Sequence, residues 1–338
     1  MDWGAGYEAT WRIFHVNADT WSDADEAQGL SDISITRTDE GKMESGTFQA
    51  EGDFDEGYYR IAMIASQGGE SLRYDMATLL CSTSTYKADR GISVREIEGA
   101  SVLQPAESQV LFEGEYAQAG SDGAQYAAEL LRRAIVAPIE VEGAFILNTH
   151  IVFDIGTSIL DAAWQLLDAG GFCMQIDGRG VVHILAYPAT PSLVLDKGGL
   201  SMVLAGVDVS EQVDVPNRYI AIEEEQVSIA VNDSPASPTS TVSVGRCIDE
   251  LDESPTRVGG ETLAAYAARR LEEESASITE RTYKREWSPD VHPFSIVRGM
   301  VPSVGLAGDM RVVSQSIECG NGALVTEKAV IKEQTWTR

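Results

Sequence analysis

The chain has 338 residues, 25 basic and 53 acidic, giving a net charge of −28, with 43% hydrophobic side chains. That length allows two or three domains and a sizeable core. The charge argues against tracking nucleic-acid phosphates, which needs a cationic surface, and against docking on an anionic membrane. The plain reading of so acidic a chain is solubility or a halophilic source. The sharper reading is a surface that must repel a polyanion.

The N-terminal stretch MDWGAGYEATWRIF has neither a basic leader nor an apolar run, so no signal peptide is expected. No run of about 18 apolar residues occurs, so no membrane insertion by a helix is expected. Cys81, Cys173, Cys247 and Cys319 are far apart, without metal or redox spacing, and read as small apolar fillers in a reducing cytoplasm.

Residues 8–115 read as short strands: Thr10 to Val16, Ser31 to Thr36, Thr47 to Ala50, Tyr58 to Ala65, Met76 to Ser84, Ser93 to Ile97 and Val110 to Phe112. Glycine or charged pieces separate them, as in a barrel or sandwich. Gly120-Ser121-Asp122 then opens a helix with Tyr126, Leu130 and Leu131 on one side. Pro138 stops it, and short strands are expected at Ile139, Val141 and Phe145 to Leu147.

The clearest stretch runs from Gly156 to Tyr187. Thr157 or Ser158 can cap a helix, with Asp161 at capping-box spacing from Ser158. Ile159, Leu160, Ala163, Trp164 and Leu167 recur at three and four, and Gly170-Gly171 ends the helix. With that face buried, Trp164→Ala should cost about 3–5 kcal/mol. Phe172 to Ile176 alternates as a strand, Asp177-Gly178-Arg179-Gly180 turns, and Val181 to Tyr187 returns.

After Pro188 and Pro191 the chain is β-rich again, with strands expected at Val203-Leu204, Val213 to Ile222 and Thr241 to Val244. Asn232 to Ser240 reads as a polar proline loop and Asp249 to Pro255 as an exposed acidic segment. Residues 260–277 read as an inserted helix with Leu263, Tyr266, Ala267 and Leu271 on one face. Strands at Glu280 to Trp287, Ile296 to Met300, Met310 to Glu318 and Ala323 to Glu333 finish the chain. The fold class is a β-rich α+β chain.

Catalytic motifs are sparse. There is no nucleophile elbow, zinc-protease helix motif or phosphate-binding loop. His15, His150, His183 and His292 are isolated in sequence, and His183 reads as a packed strand residue. Asp53 to Glu56 and Asp249 to Glu253 offer carboxylate pairs for glycoside hydrolysis, with a solvated acidic loop as the ordinary alternative. Asp19, Asp23, Asp25 and Glu26 are oxygen-rich, but the glycine a calcium loop requires is missing. No catalytic, cofactor or metal residue is assigned, and no cofactor is expected.

The order of these pieces resembles the baseplate or tail-tip hub proteins of tailed bacteriophages, a family related to the central trimeric hub of contractile-tailed phages and to the base of the type VI secretion spike. The likeness is carried by Gly156-Thr157-Ser158 through Gly180, by Gly120 to Ile135, and by Val215-Pro216-Asn217-Arg218-Tyr219. It is carried further by Asn232 to Gly245, Ala264 to Ser277 and Gly308-Asp309-Met310-Arg311-Val312. Residues 8–115 match in plan only, and the loop after Asp309 is short.

The resemblance implies two β-barrel ring domains, 1–115 and 201–338, the second carrying the helix at 260–277. A small α/β middle domain of two helix-hairpin units, 116–200, would join them. It implies a homotrimer whose six barrels form a ring that lets a three-fold hub sit on a six-fold tube. Its partners would be a distal tail or tube protein, a spike or fibre protein and the tape-measure protein. DNA would pass through without specific binding. No enzymatic activity is implied. The alternatives from other classes are a tail-associated glycoside hydrolase and a β protein that binds a host surface.

Overall fold

The computed structural model describes residues 7–27, 31–51, 55–89, 92–196, 202–211, 215–223, 225–253, 255, 261–275 and 277–333. The chain begins with seven strands: β1 (Glu8–Asn17), β2 (Ser22–Ala27), β3 (Ser31–Thr38), β4 (Glu44–Glu51), β5 (Gly57–Gln67), β6 (Glu70–Asp89) and β7 (Ile92–Ser101). A short helix α1 (Gln104–Ser108) leads to β8 (Glu115–Ala117), α2 (Gly123–Arg132), β9 (Ile139–Glu142) and β10 (Ile151–Phe153). The organising unit follows as α3 (Ile159–Gly170), β11 (Phe172–Ile176) and β12 (Val182–Ala186), then β13 (Pro191–Leu195) and β14 (Met202–Glu211). Next come β15 (Arg218–Glu223), β16 (Gln226–Val231), α4 (Thr241–Val244), β17 (Asp249–Asp252) and α5 (Leu263–Glu274). The last strands are β18 (Ser277–Glu286), β19 (Ile296–Val301), β20 (Leu306–Cys319) and β21 (Ala323–Glu333).

Contacts divide the chain into two units. One comprises Met1–Val207 and Thr282–Ala329; the other comprises Asp208–Arg281 and Val330–Arg338.

In the first unit, β2, β1, β5, β6, β7, β4, β3, β20 and β21 follow one another in a single sheet. β19 and β13 branch from β20. Strands expected in two separate barrels therefore share hydrogen bonds: Ile35 of β3 pairs with Ile317 of β20. No barrel closes among the described residues. The sheet has its own core of Ile13, Ile35, Phe48, Ile61, Met63, Met76 and Ile317. β2 was not foreseen. Its sequence SDADEA has no apolar alternation, and among the described residues it pairs with β1 alone. Acidic side chains on such an edge discourage pairing with a stranger.

The helices pack over a second core in this unit, formed by Leu130, Leu131, Leu160, Ala163, Leu166, Leu167, Met174 and Ile184. Asp122 caps α2 by accepting from the amides of Ala124 and Gln125. Ser158 caps α3 by accepting from the Asp161 amide at 3.0 Å. Gly171 leaves α3 at φ +68°, the left-handed exit expected there. Trp164 departs from expectation. It is half-buried, donating from Nε1 to the Gly41 carbonyl at 3.2 Å, while Ala162 and Leu166 take the fully buried positions.

The two helix-hairpin units are not separate copies. Phe145 to Leu147 supplies only an isolated bridge, Ile146 to Asp122, instead of a strand. β9 instead joins the hairpin that follows α3, running parallel to β12 in a sheet of order β11, β12, β9. Val110 to Phe112 likewise gives only a bridge, from Val110 to Ser158.

The second unit is a three-stranded sheet of order β16, β15, β17 with α5 on one face. Leu263, Tyr266, Ala267 and Leu271 of α5 pack against Tyr219 and Ala221 of β15, the helix face expected from sequence. Thr241 to Val244 is a helical turn, not a strand. Ser240 accepts from the Ser243 amide at 3.1 Å, and Gly245 exits at φ +73°. The Val213 to Ile222 strand is present only as β15, and residues 212–214 lie outside the described residues.

Candidate functional site

The Asp177-Gly178-Arg179-Gly180 turn is where the helix-hairpin element meets the large sheet. Asp177 closes it by accepting from the Val181 amide at 2.9 Å. The Gly178 carbonyl accepts from Thr78 Oγ1 at 3.0 Å. The Arg179 carbonyl accepts from Trp21 Nε1 at 2.8 Å and Arg60 Nη2 at 3.1 Å. Arg60 is almost fully buried and ion-pairs with Asp23 at 2.5 Å; Arg73 reaches the same carboxylate at 2.6 Å. An alanine Cβ at Gly178 would fall 1.7 Å from the Asp75 carbonyl oxygen, so only glycine lets the turn approach the strand this closely.

Charged groups sit deep in the same unit. Arg37 donates from Nε to Glu44 at 2.9 Å, and both side chains are almost wholly buried. Arg37 Nη2 also reaches the Met76 carbonyl. Burial pushes the Glu44 carboxyl up to about 7 against the pull of Arg37. Arg285 grips Glu327 with Nε at 2.9 Å and Nη2 at 2.7 Å, both side chains being fully buried. Tyr283 Oη (2.6 Å) and Gln315 Nε2 (2.7 Å) complete the shell around that carboxylate. The Arg285–Glu327 carboxylate is fully surrounded by donors, whereas Arg37 Nη1 and Glu44 Oε2 are buried with no hydrogen-bond partner among the described residues.

The histidines, isolated in sequence, are partly gathered. His292 is half-buried, donates to the Pro289 carbonyl at 3.1 Å and is pushed down to about 3 by desolvation, with Arg37 adding to the effect. Asp177 and His183 lie within electrostatic range of it. His183 is raised, first by its Asp177 partner. His150 accepts from the Ala119 amide at 3.3 Å, and His15 stacks near Tyr59.

The carboxylates weighed for glycoside hydrolysis are engaged structurally. Asp249 takes both Nε (2.6 Å) and Nη2 (2.5 Å) of Arg218, and Asp252 accepts from Tyr219 at 3.0 Å and Tyr266 at 2.6 Å. The Asp249 segment is exposed as expected, but it forms strand β17 and not a loop. Of the Asp53 to Glu56 segment, Asp53 and Phe54 lie outside the described residues. The oxygen-rich group near Asp19 is no loop either: Asp23, Asp25 and Glu26 lie on β2, where Glu26 pairs with Arg12. The four cysteines are free; Cys81 and Cys173 are buried, and burial pushes both up to about 12.

No protein-family model and no curated protein sequence matches the chain. Solved structures do. The tail protein from Neisseria meningitidis MC58 superposes at a TM-score of 0.67 with 12% identity, covering 98% of each chain. The chain has the fold of a phage tail protein. The prophage MuSo2 43 kDa tail protein from Shewanella oneidensis agrees at a TM-score of 0.62 with 14% identity, over 94% of this chain and 97% of that one. A chain of the Francisella PdpA–VgrG complex matches at a TM-score of 0.55 with 8% identity; all of this chain aligns with 55% of that one. The tail-protein fold thus runs through both units. Among the described residues, no helix is long and apolar enough to cross a membrane.

Proposed function

We propose that the chain is the structural hub of a phage tail tip or baseplate, and not an enzyme. Three copies close into a ring of pseudo-six-fold character. Residues 1–115 and 201–338 supply the ring-forming β portions, and residues 116–200 brace them. The ring joins the tail tube to the spike or fibre apparatus, meets the tape-measure protein and works within the virion after assembly in the host cytoplasm.

The observation that carries this reading is the extent of the likeness. A tail protein covers 98% of this chain and is itself covered to 98%, so the whole plan is shared and not one module. Fold alone does not name a function. The chemistry supports the same role. A conduit for DNA must not hold phosphate, and each channel-facing lysine or arginine would add counterion-release affinity. With 53 acidic against 25 basic residues, this chain lowers that affinity.

The second unit offers a surface for ring closure. Val227, Ile229 and Val231 of β16 and Leu251 of β17 are exposed on its sheet. Ile229 and Leu251 flank Ile220 across the strands. Contiguous apolar surface of this kind marks a protein contact. Electron microscopy of the full chain, alone and mixed with a phage tail-tube protein, tests the proposal. Three-fold rings are expected; single particles under every condition would overturn it.

A further inference from the structure

We propose that His183, Glu140 and Glu142 form a site for one divalent transition-metal ion of the Zn²⁺ class, clipping β9 to β12. The parallel register sets Glu140 opposite His183, and Glu142 two residues on points to the same face. His183 Nδ1 lies 3.2 Å from Glu142 Oε1 and 3.6 Å from Glu140 Oε2, and the three candidate ligand atoms all lie within 4.8 Å of one another. Zinc bonds to nitrogen and oxygen of about 2.0–2.1 Å require ligand atoms about 3.3–3.4 Å apart at the edges of a tetrahedron. The two histidine–carboxylate spacings bracket that value.

The other ring nitrogen supplies the independent observation. His183 Nε2 faces Asp177 Oδ2 at 3.5 Å, and Asp177 is itself held by the Val181 amide. A carboxylate behind the far nitrogen is the partner that orients a metal-binding histidine and selects its tautomer. Both glutamates are about two-thirds exposed, 64% and 60%, so the remaining coordination positions face solvent. One nitrogen with two carboxylate oxygens favours zinc over calcium, which takes six to eight oxygens. The ion would tie the strand following α2 to the hairpin following α3.

The test uses the full chain with Cys247→Ser, which removes the exposed thiol as a competing ligand. The protein is stripped with EDTA and titrated calorimetrically with ZnCl2. One ion per chain is expected, with a rise in melting temperature. Glu142→Gln should weaken binding at least tenfold, and His183→Ala should abolish both the heat and the melting shift. Asp177→Asn, a positioning change, should weaken binding about 10–100-fold. Equal binding by the parent and His183→Ala would overturn the proposal. So would displacement of zinc by equimolar CaCl2. The exposed Glu142→Gln variant should melt like the parent in EDTA, which separates loss of the ion from loss of the fold.

Discussion

Arg60 donates from Nη2 to the carbonyl oxygen of Arg179, 119 positions further along the chain, at 3.1 Å. That bond, with those from Trp21 and Thr78, fastens the hairpin turn to the large sheet. Gly178→Ala should therefore destabilise the protein by about 1–3 kcal/mol or more, because the added methyl meets backbone and not a movable side chain. Gly41→Ala is the control. Gly41 sits at φ +56° with nothing within 4 Å of the added atom, so only backbone strain of about 1–2 kcal/mol applies. Urea denaturation of the two variants should rank them in that order.

Glu327→Gln should cost about 3–5 kcal/mol, because it leaves the Arg285 guanidinium buried beside a neutral amide. Replacing both partners with apolar residues of similar volume should cost less than the single change. Equal losses in chemical denaturation would show that the pair's own attraction, and not the unpaired cation, dominates.

His292 sets a pH dependence with a definite sign. Its folded value is pushed from 6.5 to about 3 by burial, so the unfolded chain binds more protons between those limits. Stability from this group is fully present above pH 6.5 and falls as pH drops toward 3, by an amount on the order of a few kcal/mol. Glu44, pushed up to about 7, acts oppositely, favouring the fold below 4.5 and losing that contribution as pH rises through 7. The His292→Gln variant should show a flatter loss of stability on acidification. An unchanged slope would place the acid sensitivity elsewhere.

Ile229→Asp addresses the exposed face of the second unit. Ile229 is 57% exposed, so a charge there should leave the melting temperature of the isolated chain nearly unchanged. Within a ring contact the same charge would be desolvated, and the assembled fraction should fall at least tenfold. An undiminished assembled fraction would exclude that face from the interface.

The sequence revealed elements that carry their own punctuation. Ser158 and Gly171 bracket α3, and the α5 face is set by Leu263, Tyr266, Ala267 and Leu271. It concealed β2 and β17, because acidic edge strands lack the alternation that announces a strand. It also misplaced the tail of the first helix unit, since a short strand such as β9 chooses its sheet through tertiary pairing alone. Helical periodicity put Trp164 on the buried face, but the ring lies at its margin. Trp164→Ala should therefore cost less than the about 3–5 kcal/mol of a fully buried tryptophan. The cluster around His183 was invisible for a different reason. Its glutamates lie 41 and more residues upstream and meet it only through the parallel pairing of β9 with β12.

The central claim is that this chain works as a closed set of three. Native mass spectrometry of the full chain, alone and with a phage tail-tube protein, reads that number directly. A species of three chains is expected, about three times the 36.5 kDa of one. A mass of one chain at every concentration and with every tail partner would contradict it.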